Sequence, residues 1–185
     1  MAAITIKATA STLFMFTGDQ GAQFPFSKWN LYDAGIRVPL MVAWPGHVKP
    51  GTTTKAMVSL IDLLPTMMEA AGIPLPAGAP ALDGQSLLKA GTRTTMYGEY
   101  YNDPANPNIP SWRMVRQGNI KFIRTFNANG AVVSSEYYNL TTDPAENTNL
   151  LGDTNQANNP TQTQLNALVA KLNAFATCSG AACIN

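Results

Sequence analysis

The pattern of apolar and polar positions changes period along this 185-residue chain, and the change divides it. Residues 13–17 and 38–43 are short unbroken apolar runs, which predict strands buried on both faces, as in a parallel sheet. Between them, residues 18–36 read as a loop rich in Gly, Gln, Pro and Asn. Residues 59–71 place Leu60, Leu63, Leu64, Met67, Met68 and Ala71 at helical spacing, with Asp62 to cap the run, Pro65 tolerated in the first turn and Gly72 to stop it. A Pro/Gly/Ala stretch over 73–83 is the best internal boundary. Beyond it, residues 96–101, 112–116, 121–126 and 132–139 read as short strands broken at Gly118-Asn119 and Asn129-Gly130, which predicts a small antiparallel sheet. Residues 142–149 form a polar loop and 153–160 a mobile one. The last helix, 161–176, carries Leu165, Leu168, Val169, Leu172 and Phe175 on one face and is expected to pack on that sheet. The expected class is α/β, divided into 1–75, a linker 76–92, and a small α+β unit 93–185.

Composition narrows the picture. An apolar share of 45% against 12% charged residues supplies a real core, and a net charge of +1 without a basic cluster argues against a nucleic-acid partner. No apolar run reaches the roughly 18–20 residues of a membrane span. The first residues make a poor signal peptide, because Lys7 interrupts them and no clear cleavage site follows. The chain starts almost on a core strand, so further residues are expected upstream. Cys178 and Cys183, in CSGAAC, are spaced to close a small disulfide loop, and no second Cys or His pair exists to complete a metal site. A disulfide implies an oxidising compartment, and Asn139-Leu140-Thr141 is a sequon that fits export, so a secreted or periplasmic location is expected.

Candidate chemistry gathers after the first apolar run. Asp19 and Gln20 offer a carboxylate and an amide carbonyl, hard oxygen donors suited to calcium or magnesium, flanked by Gly18 and Gly21. Lys28 offers a point charge for an anion. An ordinary turn with a solvated lysine would have the same spacing. Arg37 is read as structural, pairing Asp33 or Asp62, and Tyr32 as a packing residue with its hydroxyl bonded. His47, the single histidine, sits in a turn and reads as exposed and idle.

These residues carry a resemblance. FTGDQG, then Lys28-x-x-x-Tyr32-Asp33, then GIRVPLMVAWPG, resembles the second half of sulfatases of the alkaline-phosphatase superfamily. SLIDLLPTMMEAAGIPLP, LDGQSLL, MYGEY, WRMVRQGNIKFI and EYYNLTTDPAENTNL follow in family order, so the resemblance covers roughly residues 12–151. The FPFSKWNLYDAG segment is most similar to the heparan N-sulfatase-like and arylsulfatase-like bacterial branch, and the CSGAAC tail to tails of secreted sulfatases.

The resemblance implies an alkaline-phosphatase-like fold of which this chain is the C-terminal part: the end of the large parallel sheet, then a small antiparallel sheet on a terminal helix. It implies hydrolysis of sulfate esters or sulfamates of sugars, with a formylglycine nucleophile and a calcium ion. Asp19 and Gln20 would be calcium ligands, Gln20 standing where the family usually has Asn or His, and Lys28 would contact the sulfate. Arg37 matches a recurrent family residue. The C/S-x-P-x-R motif that yields formylglycine is absent, as are the family's upstream acids, catalytic histidine and second lysine. The expected partners are therefore a sulfated carbohydrate or other sulfate ester and an N-terminal half bearing the nucleophile; alone, the chain should be inactive, weak for calcium and prone to aggregate. A non-catalytic interaction module and a related phosphohydrolase or phosphonate hydrolase remain open. Tyr100, Tyr101, Asn102 and Trp112 are candidates for a sugar-binding rim, with packing as the alternative.

Overall fold

Two sheets of very different burial organise the chain. The computed structural model describes residues 9–89, 93–101, 105 and 109–183. The element order is β1 (Phe14–Thr17), α1 (Asp33–Ile36), β2 (Leu40–Ala43), α2 (Leu63–Ala71), β3 (Thr95–Tyr100), β4 (Ser111–Gln117), β5 (Ile120–Phe126), β6 (Val132–Asn139) and α3 (Gln162–Phe175), with short 3-10 turns at Leu60–Asp62, Gln156–Asn158 and Gly180–Cys183.

The two apolar runs form strands, and the α/β class and the small antiparallel sheet on a terminal helix are borne out. The expectation of parallel strands is corrected in one respect: β1 pairs with β2 antiparallel, Phe16 opposite Met41. Both of these side chains are about half exposed, so the ribbon buries little of its own apolar surface. An unbroken apolar run signals burial on both faces but carries no information on strand direction.

β3 to β6 form an antiparallel meander in sequence order. The turns between strands need left-handed backbone: Gly118 and Gly130 have φ of 56° and 76°, conformations that glycine adopts without a Cβ penalty. Asn127 completes the second turn, its Oδ1 accepting from the amides of Asn129 and Ala131.

This sheet is covered on both sides. On one face Val115, Phe122 and Tyr137 pack against Leu168 and Leu172 of α3, and Tyr97 stacks on Phe175 at 4.5 Å. On the other, Met114, Ile123 and Tyr138 pack against Leu31, with Tyr32 and Ile36 alongside. The loop after β1 is thus the second lid of the sheet, which is why β5 buries Lys121, Phe122 and Ile123 in succession.

The 3-10 turn that leads into α2 opens with a capping box, Asp62 Oδ2 accepting from the Ser59 amide at 2.8 Å, and α2 is closed by Gly72 at φ 65°. Asp62 is fully buried and is forked by Arg93, at 2.7 and 2.9 Å. It therefore does not pair Arg37, whose partner is Asp33 at 3.9 Å. Residues 76–89 hold no helix or strand but are tied down: Asp62 Oδ1 accepts from the Gln85 amide, and Asp83 Oδ1 from the Gly180 amide at 2.6 Å. Cys178 and Cys183 are disulfide-bonded, with Cα atoms 5.3 Å apart. Residues 153–160, expected to be mobile, are folded into turns by Asp153 and Asn155, whose side chains accept from the amides of Asn155 and Ala157. No helix among the described residues is long and apolar enough to cross a membrane.

Candidate functional site

β1 delivers the chain to Gly18, and the loop that follows folds back on itself. The Gly21 amide donates to Gly35 O at 2.8 Å, and the Lys28 amide to Ala22 O at 3.2 Å. Ser27, buried, donates its hydroxyl to Ala34 O at 2.7 Å. The closure demands glycine at two points: a Cβ on Gly21 would overlap the Ala34 carbonyl, and one on Gly35 the Ser27 carbonyl. Phe26 and Trp29 adopt left-handed backbone, φ 61° and 63°, which is costly for bulky residues and marks the tip of the loop as strained.

The three predicted site residues sit on this one loop. Asp19 is exposed and Gln20 half-buried just past β1. Among the described residues neither makes a side-chain hydrogen bond or ion pair. Lys28 lies between the two strained aromatics, its Nζ 5.4 Å from the centroid of the Trp29 ring. A flexible ammonium over an aromatic face stays available to an anion. As donors, Asp19 and Gln20 fit a hard divalent cation but supply only part of the six to eight oxygens calcium takes. No cluster of three His, Cys, Asp or Glu able to hold a metal occurs among the described residues.

The base of the loop is anchored by charges the sequence reading did not assign. Lys121, wholly buried, donates to Asp33 Oδ1 at 2.5 Å and to Leu31 O at 3.2 Å, and pairs with Glu146 Oε1 at 2.6 Å. Glu146 Oε2 in turn accepts from the Asp33 amide, the first of α1. Arg116 adds a second cation, 3.4 Å from Asp33 Oδ2. Tyr32 donates to Glu136 Oε2 at 2.7 Å, as does Tyr138. Burial first, and then the Glu136 carboxylate, push the Tyr32 phenol up to about 12; the same causes raise Tyr138. The reading of Tyr32 as a packing residue with a bonded hydroxyl holds. Lys121 shares its largely apolar strand with Arg124, and the sequence marked neither as an anchor; Glu146 and Glu136 sat inside quoted motifs without a role.

A cavity of about 160 Å³ opens between this loop and the sheet, lined by Asn30, Tyr32, Trp112, Thr125 and Glu136. Trp112 Nε1 is buried with no hydrogen-bond partner among the described residues. The proposed rim divides in part: Trp112 lines this cavity, Tyr101 lines a separate cleft, Tyr100 lines that cleft and stacks on Trp112 at 5.2 Å, and Asn102 falls outside the described residues. His47 stacks on Trp44 at 3.8 Å, exposed and outside the loop.

The N-sulphoglucosamine sulphohydrolase C-terminal family matches residues 21–174. Similar proteins include an ulvan-active sulfatase of Formosa agariphila, 35% identical over 128 residues (65% of this chain, 24% of the relative), and an N-acetylglucosamine-6-O-sulfatase of Bacteroides thetaiotaomicron, 29% identical over 152 residues (77% and 27%). The chain therefore spans about a quarter of the length of these curated relatives. Among solved structures, BT4656 in complex with its substrate D-glucosamine-2-N,6-O-disulfate superposes with a TM-score of 0.69 at 24% identity, covering 87% of this chain and 33% of that one. A sulfatase-type protein from Bacteroides fragilis gives 0.63 at 19% identity, covering 88% and 35%. At these identities the two structures establish the fold.

Proposed function

Because the chain belongs to the N-sulphoglucosamine sulphohydrolase C-terminal family, we propose that it is the C-terminal part of a sulfatase that hydrolyses sulfate esters or sulfamates of sugars. Within the molecule, the observation that carries this reading is the closure of the loop on itself. Backbone contacts of Gly21 with Gly35, and of Lys28 with Ala22, gather Asp19, Gln20 and Lys28 on one strained loop clamped to the sheet. The sugar class is supported by the substrate named for the N-acetylglucosamine-6-O-sulfatase relative.

In this reading Asp19 and Gln20 contribute two oxygen donors to a calcium ion, and Lys28 places its ammonium on a sulfuryl oxygen. Fixed charge aimed at a site where negative charge develops lowers the barrier, because no solvent must reorganise as the reaction proceeds. Calcium and a formylglycine from outside this chain would supply charge neutralisation and the nucleophile. Asp33, Lys121 and Glu146 fix the base of the loop. The aromatic and amide lining of the cavity beside Trp112 suits a sugar ring. The Cys178–Cys183 disulfide supports a secreted or periplasmic location.

The test is turnover of glucosamine 6-sulfate by the complete protein. Lys28→Ala should lower kcat by roughly 10²–10³-fold, the usual effect of removing one preorganised donor. Asp19→Asn should weaken calcium activation. Unchanged turnover in Lys28→Ala would remove that residue from the site, and turnover indifferent to both substitutions and to chelation would overturn the reading.

A further inference from the structure

The face of the β3–β6 sheet that meets α3 changes character along its strands. Under α3 it is apolar: Tyr97, Val115, Phe122 and Tyr137. Two residues further along each strand, on the same side of the pleat, it becomes Glu99, Arg113, Arg124 and Ser135, a row fixed by register. Arg113 and Arg124 stand directly opposite one another. Like charges at opposed positions destabilise a sheet, and among the described residues one carboxylate, Glu99 at 3.6 Å from Arg113, answers the two. Arg124 rests on Phe122 at 5.5 Å, its Nε buried with no partner among the described residues.

One step further the face opens into a cleft of about 290 Å³ between Tyr101, Arg113, Phe126 and the turn at 127–130. Arg113 is held between two rings, 5.3 Å from Tyr101 and 5.2 Å from Phe126, and donates to the Tyr101 hydroxyl at 2.6 Å. Tyr101 is 57% exposed. A preoriented guanidinium backed by a second arginine, beside an open aromatic face, matches a ligand that joins an anionic group to a flat, hydroxylated ring. The cleft lies on the opposite face of the sheet from the Lys28 loop, which packs against Met114, Ile123 and Tyr138.

We propose that this cleft binds an acidic sugar residue, sulfated or carboxylated, of a polymeric saccharide, held by Arg113 and Tyr101. The ligand class rests on the sulfated-sugar reading above; the geometry of the cleft does not.

Binding is measured by calorimetry on the complete protein at low salt. The probes are a hexasaccharide alternating sulfated glucosamine with uronic acid, its desulfated form that keeps the carboxylates, and a neutral form both desulfated and carboxyl-reduced. Arg113→Gln should weaken binding of the sulfated probe about tenfold or more, as loss of a charge-assisted contact does. Tyr101→Ala should weaken it several-fold. Arg113→Lys, which keeps the charge but loses the planar fork, should fall between, and matching melting curves establish that the variants are folded. The two acidic probes identify which anion is preferred. Turnover of glucosamine 6-sulfate should be unchanged in Arg113→Gln, so failure of hydrolysis and failure of this site are read separately. Equal binding of the sulfated probe by wild type and both variants, equal binding of the neutral probe, or no binding by wild type overturns the proposal.

Discussion

Lys121 Nζ lies 2.5 Å from Asp33 Oδ1, although the two residues are 88 positions apart. The contact joins the start of β5 to the first residue of α1, and with Glu146 it forms a buried triad of two carboxylates and one ammonium. Arg116 supplies the compensating second cation. The triad closes the base of the loop that carries Lys28.

Replacing Lys121 by Met should therefore destabilise strongly. Asp33 keeps Arg116, but Glu146 is left buried without a cation, and breaking a buried pair typically costs about 3–5 kcal/mol. Urea denaturation of the Lys121→Met protein checks the stability. The double variant Lys121→Met with Glu146→Gln should recover part of the loss, because the stranded carboxylate is gone; equal stability of single and double variants would mean that the pair is not coupled.

The elements on either side of this triad were legible in the sequence to different degrees. β3 to β6 and α3 fall within two residues of the segments that alternation and helical spacing predict, because each buries a defined face. The pairing of β1 with β2 was not legible, since both strands read as continuous apolar runs without an alternating face. α1 was missed because Asp33–Ile36 is a single turn, held by Lys121 and Glu146 from distant segments rather than by its own propensity. The candidate site was legible as a set of residue types on one loop. Its anchor was not, because of the two cations in β5 only Lys121 is fully buried, and the sequence shows neither that nor which carboxylate it meets.

Asp62 makes a second prediction. It accepts from the amides of Ser59 and Gln85 and from both terminal nitrogens of Arg93. Asp62→Ala removes the cap of the 3-10 turn, frees a linker amide and leaves Arg93 buried without its counter-ion. A loss of about 3–5 kcal/mol is expected, read from the denaturant midpoint. Arg37→Ala, whose guanidinium is largely exposed and 3.9 Å from Asp33, should change stability by less than about 1 kcal/mol.

The tyrosines on Glu136 make stability fall in alkali. The Tyr32 phenol titrates at about 12 when folded against an ordinary value of 10.0. The folded state therefore holds its proton where the unfolded chain has released it, and the unfolded state gains as pH rises. The contribution is complete below pH 10 and is lost progressively between 10 and 12. Tyr138, raised by the same burial and the same carboxylate, extends the loss in the same direction. Phenolate absorbance should lag behind exposed tyrosines and then rise together with unfolding. Tyr32→Phe should flatten this slope, and an unaltered alkaline limb would show that the Tyr32–Glu136 contact does not set it.

Closure of the loop supplies a prediction that links packing to activity. Gly21 and Gly35 press against the carbonyls of Ala34 and Ser27, backbone atoms that cannot swing aside as a side chain would. Gly21→Ala must therefore push residues 18–22 away from α1 and stretch the Gly21–Gly35 hydrogen bond, 2.8 Å long. The four-stranded sheet makes no use of that bond, so its melting should shift little. Asp19, Gln20 and Lys28, in contrast, would be displaced relative to one another, and misplacement of about 1 Å in a catalytic constellation costs on the order of 10²-fold in rate. Turnover of glucosamine 6-sulfate by the complete protein should thus fall far more than its stability does. Retention of full turnover in a folded Gly21→Ala protein would show that the catalytic reading of the loop does not depend on its closure.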